Sequence, residues 1–293
     1  NKSKQNHERK RIIMQTPISI NLNNKVVVIT GAGGVICGCL AKALASNGAK
    51  VALLDLNLEA AEAVANEIVA EGGVAKAYKT NVLDKENLEA VREEIEKDLG
   101  VTDILINGAG GNNPRATTDN EYCTFEKQVD KDFFDLDAGG VRFVFELNFI
   151  GSFLPTQVFC KGMVGRKGCS VLNISSMNAF TPLTKIPAYS AAKAGISNFT
   201  EWLAVHFAKV GIRVNAIAPG FFVTNQNRAL LFDAEGNATP RTKKILNATP
   251  MERFGEVEEL VGATLFLLSE EAAGFITGVV LPIDGGFSAY SGV

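Results

Sequence analysis

Tyr189 and Lys193 stand four positions apart in "AYSAAK", and Ser176 lies thirteen positions before the tyrosine. On a helix, residues four apart share one face, a turn from each other, so this spacing sets an ammonium beside a phenol. A serine at the end of a preceding strand could face both. A free phenol has a pKa of about 10, too high for an efficient base at neutral pH, and a nearby cation favours the phenolate. The chemistry open to such a trio is proton exchange with a substrate oxygen, the serine hydroxyl holding that oxygen in place.

A scaffold must bring these side chains together, and the rest of the chain supplies one. From residue 25, short β-branched runs alternate with amphipathic helical patterns. The strands read as "KVVVIT" (25–30), "KVALLD" (50–55), "VAKAYK" (74–79), "DILING" (103–108), "CSVLNIS" (169–175), "IRVNAIAP" (212–219) and "GVVLPID" (278–284). Continuous apolar strands between helices imply a parallel sheet covered on both faces. With right-handed crossovers this is an α/β fold, a single-domain doubly wound parallel sheet of the Rossmann type. No linker divides residues 25–293, and residues 1–24 read as a flexible arm. Two stretches break the rhythm, 111–147 and 221–250. Long loops at the carboxyl ends of parallel strands are where such folds bind ligands.

Composition narrows the function. The formal charge of −3 gives no electrostatic footprint for nucleic acid. No apolar run reaches the roughly 18 residues of a membrane span, and the basic, polar start lacks the apolar centre of a signal peptide. Five cysteines without a CxxC pair suggest reduced thiols and a cytoplasmic location. Two histidines make a histidine-based metal site improbable.

"TGAGGVICG" (30–38) falls between the first strand and the first helix. There Gly31, Gly33 and Gly34 let the backbone approach a pyrophosphate whose charge meets the helix N-terminus. Asp55 ends the second strand, where an acid hydrogen-bonds the adenosine ribose and repels a 2′-phosphate. No lysine or arginine lies in the turn, so NAD is expected over NADP. Asn57 competes with Asp55 as the cap of the next helix.

With these motifs in order, the chain resembles the short-chain dehydrogenase/reductase family from Lys25 to about Phe287. The family's active-site signature is Tyr-x-x-x-Lys with a serine thirteen positions earlier, and "LNFIGSF" supplies the asparagine of its tetrad. The resemblance thus implies Asn148, Ser176, Tyr189 and Lys193 as the catalytic set. Asn148 would anchor a water that relays protons, and Lys193 would also hold the nicotinamide ribose. It implies dinucleotide contacts at Val35 and Ile36 beside the glycines, at Asn81 and Val82, and at Asn107, Gly108 and Ala109 of "NGAG". Further contacts are implied at Pro219, Gly220, Phe222 and Thr224 of "APGFFVT", and at Tyr189 and Lys193. A homotetramer is implied as well. Four positions depart from the family pattern: Val35 and Cys37 stand where glycines are usual, Gly108 stands where a second asparagine is usual, and the fourth is Asn81. Asn81 replaces the usual aspartate.

The substrate loops resemble the D-mannonate oxidoreductase (fructuronate reductase) branch of the family. Read directly, they offer Asn112, Asn113, Asn178, Asn225 and Gln226 as amides for hydroxyl groups. Arg115, Lys185 and Arg228 are cations for a carboxylate. Arg115 is the first choice, because its loop follows "NGAG". A hydroxylated sugar acid is therefore the expected substrate. A gluconate- or polyol-type dehydrogenase and a non-catalytic dinucleotide-sensing protein are the alternatives.

Overall fold

Successive side chains of a strand point to opposite faces, and in this chain both faces are apolar. In β1 (Val26–Thr30), Val27 and Ile29 enter one core while Val26 and Val28 enter the other. Val51 and Leu53 of β2 (Lys50–Asp55) divide from Ala52 and Leu54 in the same way. A sheet apolar on both sides must be covered twice. The computed structural model describes residues 20–126, 128–223, 231–233 and 236–292.

β3 (Val74–Lys79), β4 (Ile104–Asn107), β5 (Cys169–Ile174), β6 (Ile212–Pro219) and β7 (Val280–Ile283) complete a seven-stranded parallel sheet of order β3-β2-β1-β4-β5-β6-β7. One face carries α1 (Val35–Ser46) and α2 (Leu58–Ala70), the other α3 (Lys85–Asp98). The chain runs outward from β1 to β3, then returns to the other side of β1 as β4. That reversal opens a crevice at the carboxyl ends of β1 and β4. All seven strands fall where the apolar runs place them, within a residue or two at each end.

The two long connections are more structured than the sequence suggests. After β4, a helix begins at Ala138, ahead of the expected end of the loop at 147. It runs as α4 (Ala138–Phe145), a π-helical turn (Glu146–Ile150) and α5 (Gly151–Phe159). Gly139 and Gly140 disguise its start, since a glycine pair reads as a turn. Gly140 is instead required by packing, because a Cβ there would lie 2.7 Å from Arg115 Cβ. Asp137 caps the helix by accepting the Gly140 N–H at 2.6 Å. The continuous stretch Ala138–Met163 is long and apolar enough to cross a membrane by length and composition, an amendment to the sequence reading, but half of its most apolar window is buried within the protein. The second connection holds α7 (Pro240–Asn247), capped by Thr239 with proline in its first turn. α6 (Pro187–Phe207), α8 (Glu259–Leu268) and α9 (Glu270–Ala273) complete the helices used below.

Candidate active site

At the carboxyl end of β1, Gly31 takes a left-handed φ of +68°, and a Cβ there would stand 2.9 Å from the Ala109 backbone. The same addition at Gly33 would meet the Ala60 Cβ at 2.7 Å. Glycine is thus demanded by both close approaches. Gly34 forms the N-cap of α1 without a side-chain cap, and the first turn holds no acid. The free N–H groups and helix dipole there suit a phosphate, so the residues present fit a dinucleotide.

Asn57 caps α2 by accepting the Ala60 N–H at 3.2 Å, which resolves the competition with Asp55. The Asp55 carboxylate instead accepts the Gly33 N–H and the Asn57 N–H, each at 2.9 Å. It therefore braces the glycine turn from the end of β2. Thr30, missed in the sequence, does the same from β1. Its hydroxyl accepts the Gly108 and Ala109 N–H groups at 3.1 and 3.2 Å.

The departures at Cys37 and Gly108 explain each other. A Cβ on Gly108 would overlap the Cys37 sulfur, so the thiol occupies the space that an asparagine would need. Burial pushes the Cys37 thiol up to about 12, which leaves it inert packing.

The Asn107 side chain faces the core rather than the crevice. Its amide donates to Thr156 Oγ1 at 3.0 Å and to Asn173 Oδ1 at 2.9 Å. Its amide hydrogens are thus spent inside the protein. Asn81 accepts the Leu83 N–H at 3.0 Å, and Val82 packs against Gly151. Val35 is exposed, Ile36 packs on the core, and Phe222 is buried. Pro219 ends β6, and a Cβ on Gly220 would stand 2.6 Å from Asp284 Cα.

Four side chains converge beside this crevice. Ser176 follows β5, and its hydroxyl accepts the Asn178 N–H at 3.3 Å. Tyr189 and Lys193 sit one turn apart on α6, with the lysine Nζ 5.7 Å from the tyrosine ring centre. Lys193 is 5% exposed and donates to the Ile174 carbonyl at 2.7 Å. Asn148 lies in the π-helical turn, a distortion frequent at functional sites. Its amide nitrogen donates to the Gly111 and Val144 carbonyls at 2.7 and 2.8 Å, and its oxygen accepts the Gly111 N–H at 3.2 Å. Gly110, another residue missed in the sequence, lets Asn148 and Lys193 meet. A Cβ there would lie 2.7 Å from Asn148 Oδ1 and 3.2 Å from Lys193 Nζ.

Burial raises the Tyr189 phenol, and its hydrogen bond with Ser176 opposes that rise. Burial also brings the Lys193 ammonium down to about 8 from its ordinary 10.5. Between these two pH values the folded chain has released a proton that the unfolded chain still holds. Stability relative to Lys193→Met should therefore rise with pH across that window, by on the order of 3 kcal/mol, and stay level below it. Urea titrations of both proteins without added dinucleotide check this. A difference that falls with pH would contradict the buried ammonium.

Among the substrate candidates, Asn112 donates to Thr117 Oγ1 at 2.9 Å, and Asn178 is buried behind Ser176. Arg115, the first choice as carboxylate anchor, is engaged elsewhere: it pairs with Asp137 at 3.2 Å against the start of α4. Lys185 lines a cavity of about 400 Å³ beside the catalytic helix. Thr224, Asn225, Gln226 and Arg228 lie outside the described residues.

A half-buried phenol with a buried ammonium and hydroxyl, next to a glycine-braced dinucleotide crevice, forms the arrangement of an oxidoreductase acting on a CH–OH group. Comparison with known proteins agrees. The profile of the short chain dehydrogenase family matches residues 25–234, and the chain belongs to that family. An uncharacterized oxidoreductase of Haemophilus influenzae is 67% identical over 274 residues, covering 93% of this chain and 96% of that protein. The 5-keto-D-gluconate 5-reductase of Escherichia coli is 34% identical over 266 residues, covering 91% of this chain and 96% of that protein. A crystal structure from Haemophilus influenzae, described as a candidate D-mannonate oxidoreductase with bound NAD, superposes with a TM-score of 0.92. It is 66% identical, covering 94% of this chain and 99% of that one.

Proposed function

We propose that this chain is an NAD-dependent oxidoreductase interconverting D-mannonate and D-fructuronate. The observation that carries the reading is the convergence of Asn148, Ser176, Tyr189 and Lys193 beside the glycine turn. In support, the H. influenzae structure at 66% identity is described as a candidate D-mannonate oxidoreductase with bound NAD.

Bound NAD would accept hydride from the alcohol carbon. The chain's own groups handle the oxygen and its proton. Ser176 Oγ donates to the substrate oxygen and places it within reach of Tyr189. In the oxidation direction, the Tyr189 phenolate takes the hydroxyl proton; in reduction, the phenol returns it to the carbonyl oxygen. Lys193, charged below about pH 8, favours the phenolate that burial opposes. Asn148 orders the Gly110–Gly111 backbone beside Lys193 through its paired hydrogen bonds to Gly111. A non-catalytic sensor has no use for an ammonium held buried against its solvation, so the enzymatic reading is favoured. A gluconate-type reaction is the second reading, supported by the E. coli relative named for carbon 5 of a six-carbon acid.

Two measurements test the proposal. Catalytic efficiencies at 340 nm, with NAD and a panel of hexonates, should be highest for D-mannonate. A preference for gluconate would replace the substrate, and activity with none of them would sink the sugar-acid reading. For the cofactor, the Asp55 carboxylate should favour NAD over NADP by on the order of 1–3 kcal/mol, or roughly 5- to 150-fold. Asp55→Ala should narrow that gap, mainly by weakening NAD, because the turn at Gly33 also loses its brace. Equal efficiency with both cofactors in the wild type would refute the role of Asp55.

A further inference from the structure

The cavity of about 400 Å³ has one wall made by Leu183, Thr184, Lys185 and Ile186, the segment that joins Ser176 to Tyr189. The facing wall is α7, with Arg241 and Lys244. Glu121 is the lone carboxylate among the described lining residues. It is committed to Lys244, whose ammonium donates to both of its oxygens at 2.8 and 3.0 Å. Neither Lys185 nor Arg241 makes a close ion pair among the described residues, the Lys185 charge reaching Glu121 only at longer range. Two cations thus face a cavity whose built-in anion is already used.

The backbone singles out Lys185 a second time. Its φ is +72°, a left-handed conformation that a lysine adopts only when its surroundings impose it. The restraint is visible, since the Lys185 carbonyl accepts the Thr118 N–H at 2.9 Å. This bond ties the insertion after β4 to the entry of the catalytic helix.

From these observations we infer that Lys185 and Arg241 form the clamp that grips the carboxylate of a sugar-acid substrate. The inference rests on the proposed sugar-acid reaction and deepens it. In D-fructuronate the ketone is at carbon 5 and the carboxylate at carbon 1. Four carbon–carbon bonds separate them, about 5 Å in an extended chain. A carbonyl held at Ser176 and Tyr189 leaves its carboxylate about that far off, and Lys185 and Ile186, at the entry of the helix that carries the tyrosine, line the cavity that would receive it. The guanidinium of Arg241 can take two carboxylate oxygens at once, while Lys185 adds a point charge. Arg115 is paired instead with Asp137, and Lys244 with Glu121.

The test is steady-state kinetics of the full chain with NAD, on D-mannonate and on its primary amide, which keeps the skeleton and drops the charge. Arg241→Gln and Lys185→Asn are the variants, asparagine being tolerant of the left-handed backbone. Each should raise KM for the acid about 10- to 100-fold with kcat within about threefold of wild type, while KM for the amide moves less than about threefold. Added salt should raise the wild-type KM for the acid more than that of either variant. Equal rises on acid and amide would reduce the two residues to parts of the wall and overturn the clamp. No rise on the acid in either variant would overturn it as well. If the wild type oxidises D-mannonate and the variants are indifferent, the clamp alone fails. A wild type that oxidises no sugar acid removes the reaction and the clamp together.

Discussion

Tyr189→Phe should lower turnover at least about 10²-fold, and up to about 10⁴-fold, while leaving dinucleotide affinity near that of the wild type. The substitution removes one oxygen and keeps the ring. Ring packing on α6 is therefore retained, and the lysine beneath it keeps its hydrogen bond to the Ile174 carbonyl. What is lost is the proton carrier that hydrogen-bonds to Ser176 and lies one turn from Lys193. Rates measured at saturating substrate, with dinucleotide binding followed by fluorescence, separate the two quantities. A variant with near wild-type turnover would show that the proton travels by another route. Lost affinity together with lost turnover would mean that the hydroxyl shapes the site rather than serving the reaction.

The second large effect is expected at Gly108. A methyl group there overlaps the Cys37 sulfur and comes within 2.8 Å of the Thr30 carbonyl oxygen. Overpacking of this kind costs about 1–3 kcal/mol. The strain falls on the turn that α1 and β4 share, so relief by displacement should weaken dinucleotide binding roughly 5- to 150-fold in Gly108→Ala. Adding Cys37→Gly removes the larger obstruction and leaves the approach to Thr30, which needs only a small shift. The double variant should regain most of the affinity, though not all of the stability, since a glycine inside α1 costs about 1 kcal/mol. Titration of the wild type and the two variants with NAD decides the point. A double variant no better than Gly108→Ala would show that Cys37 and Gly108 are independent departures from the family pattern.

The fold was legible because each strand is a short apolar run bounded by polar or glycine-rich sequence, a signal that survives without knowledge of contacts. Tyr189, Lys193, Ser176 and Asn148 were legible for a different reason. Their spacing, read beside a glycine turn and a strand-ending aspartate, matches one family in order. What escaped depends on packing between segments distant in sequence. Gly139 and Gly140 looked like a turn until Arg115 packed against them, and that same packing gave Arg115 to Asp137. Asn107 reads as a polar residue at a strand end, yet partners on β5 and α5 draw its amide into the core. Gly110 carries no side chain to announce it, and its role is the space it leaves for Asn148 and Lys193. Arg241 lies in the long 221–250 connection with no motif to single it out, and α7 brings it into the lining of the same cavity as Lys185.

In the proposed reaction this site moves hydride from a hydroxyl-bearing carbon of a sugar acid to a nicotinamide while Tyr189 takes the proton. D-Mannonate carrying deuterium at carbon 5, incubated with the wild-type enzyme and NAD, tests it most directly. Proton NMR of the recovered NADH should show deuterium at the nicotinamide C4, on one face only. Reduced cofactor without deuterium would place the oxidation at another carbon, and no reduction at all would contradict the proposed reaction.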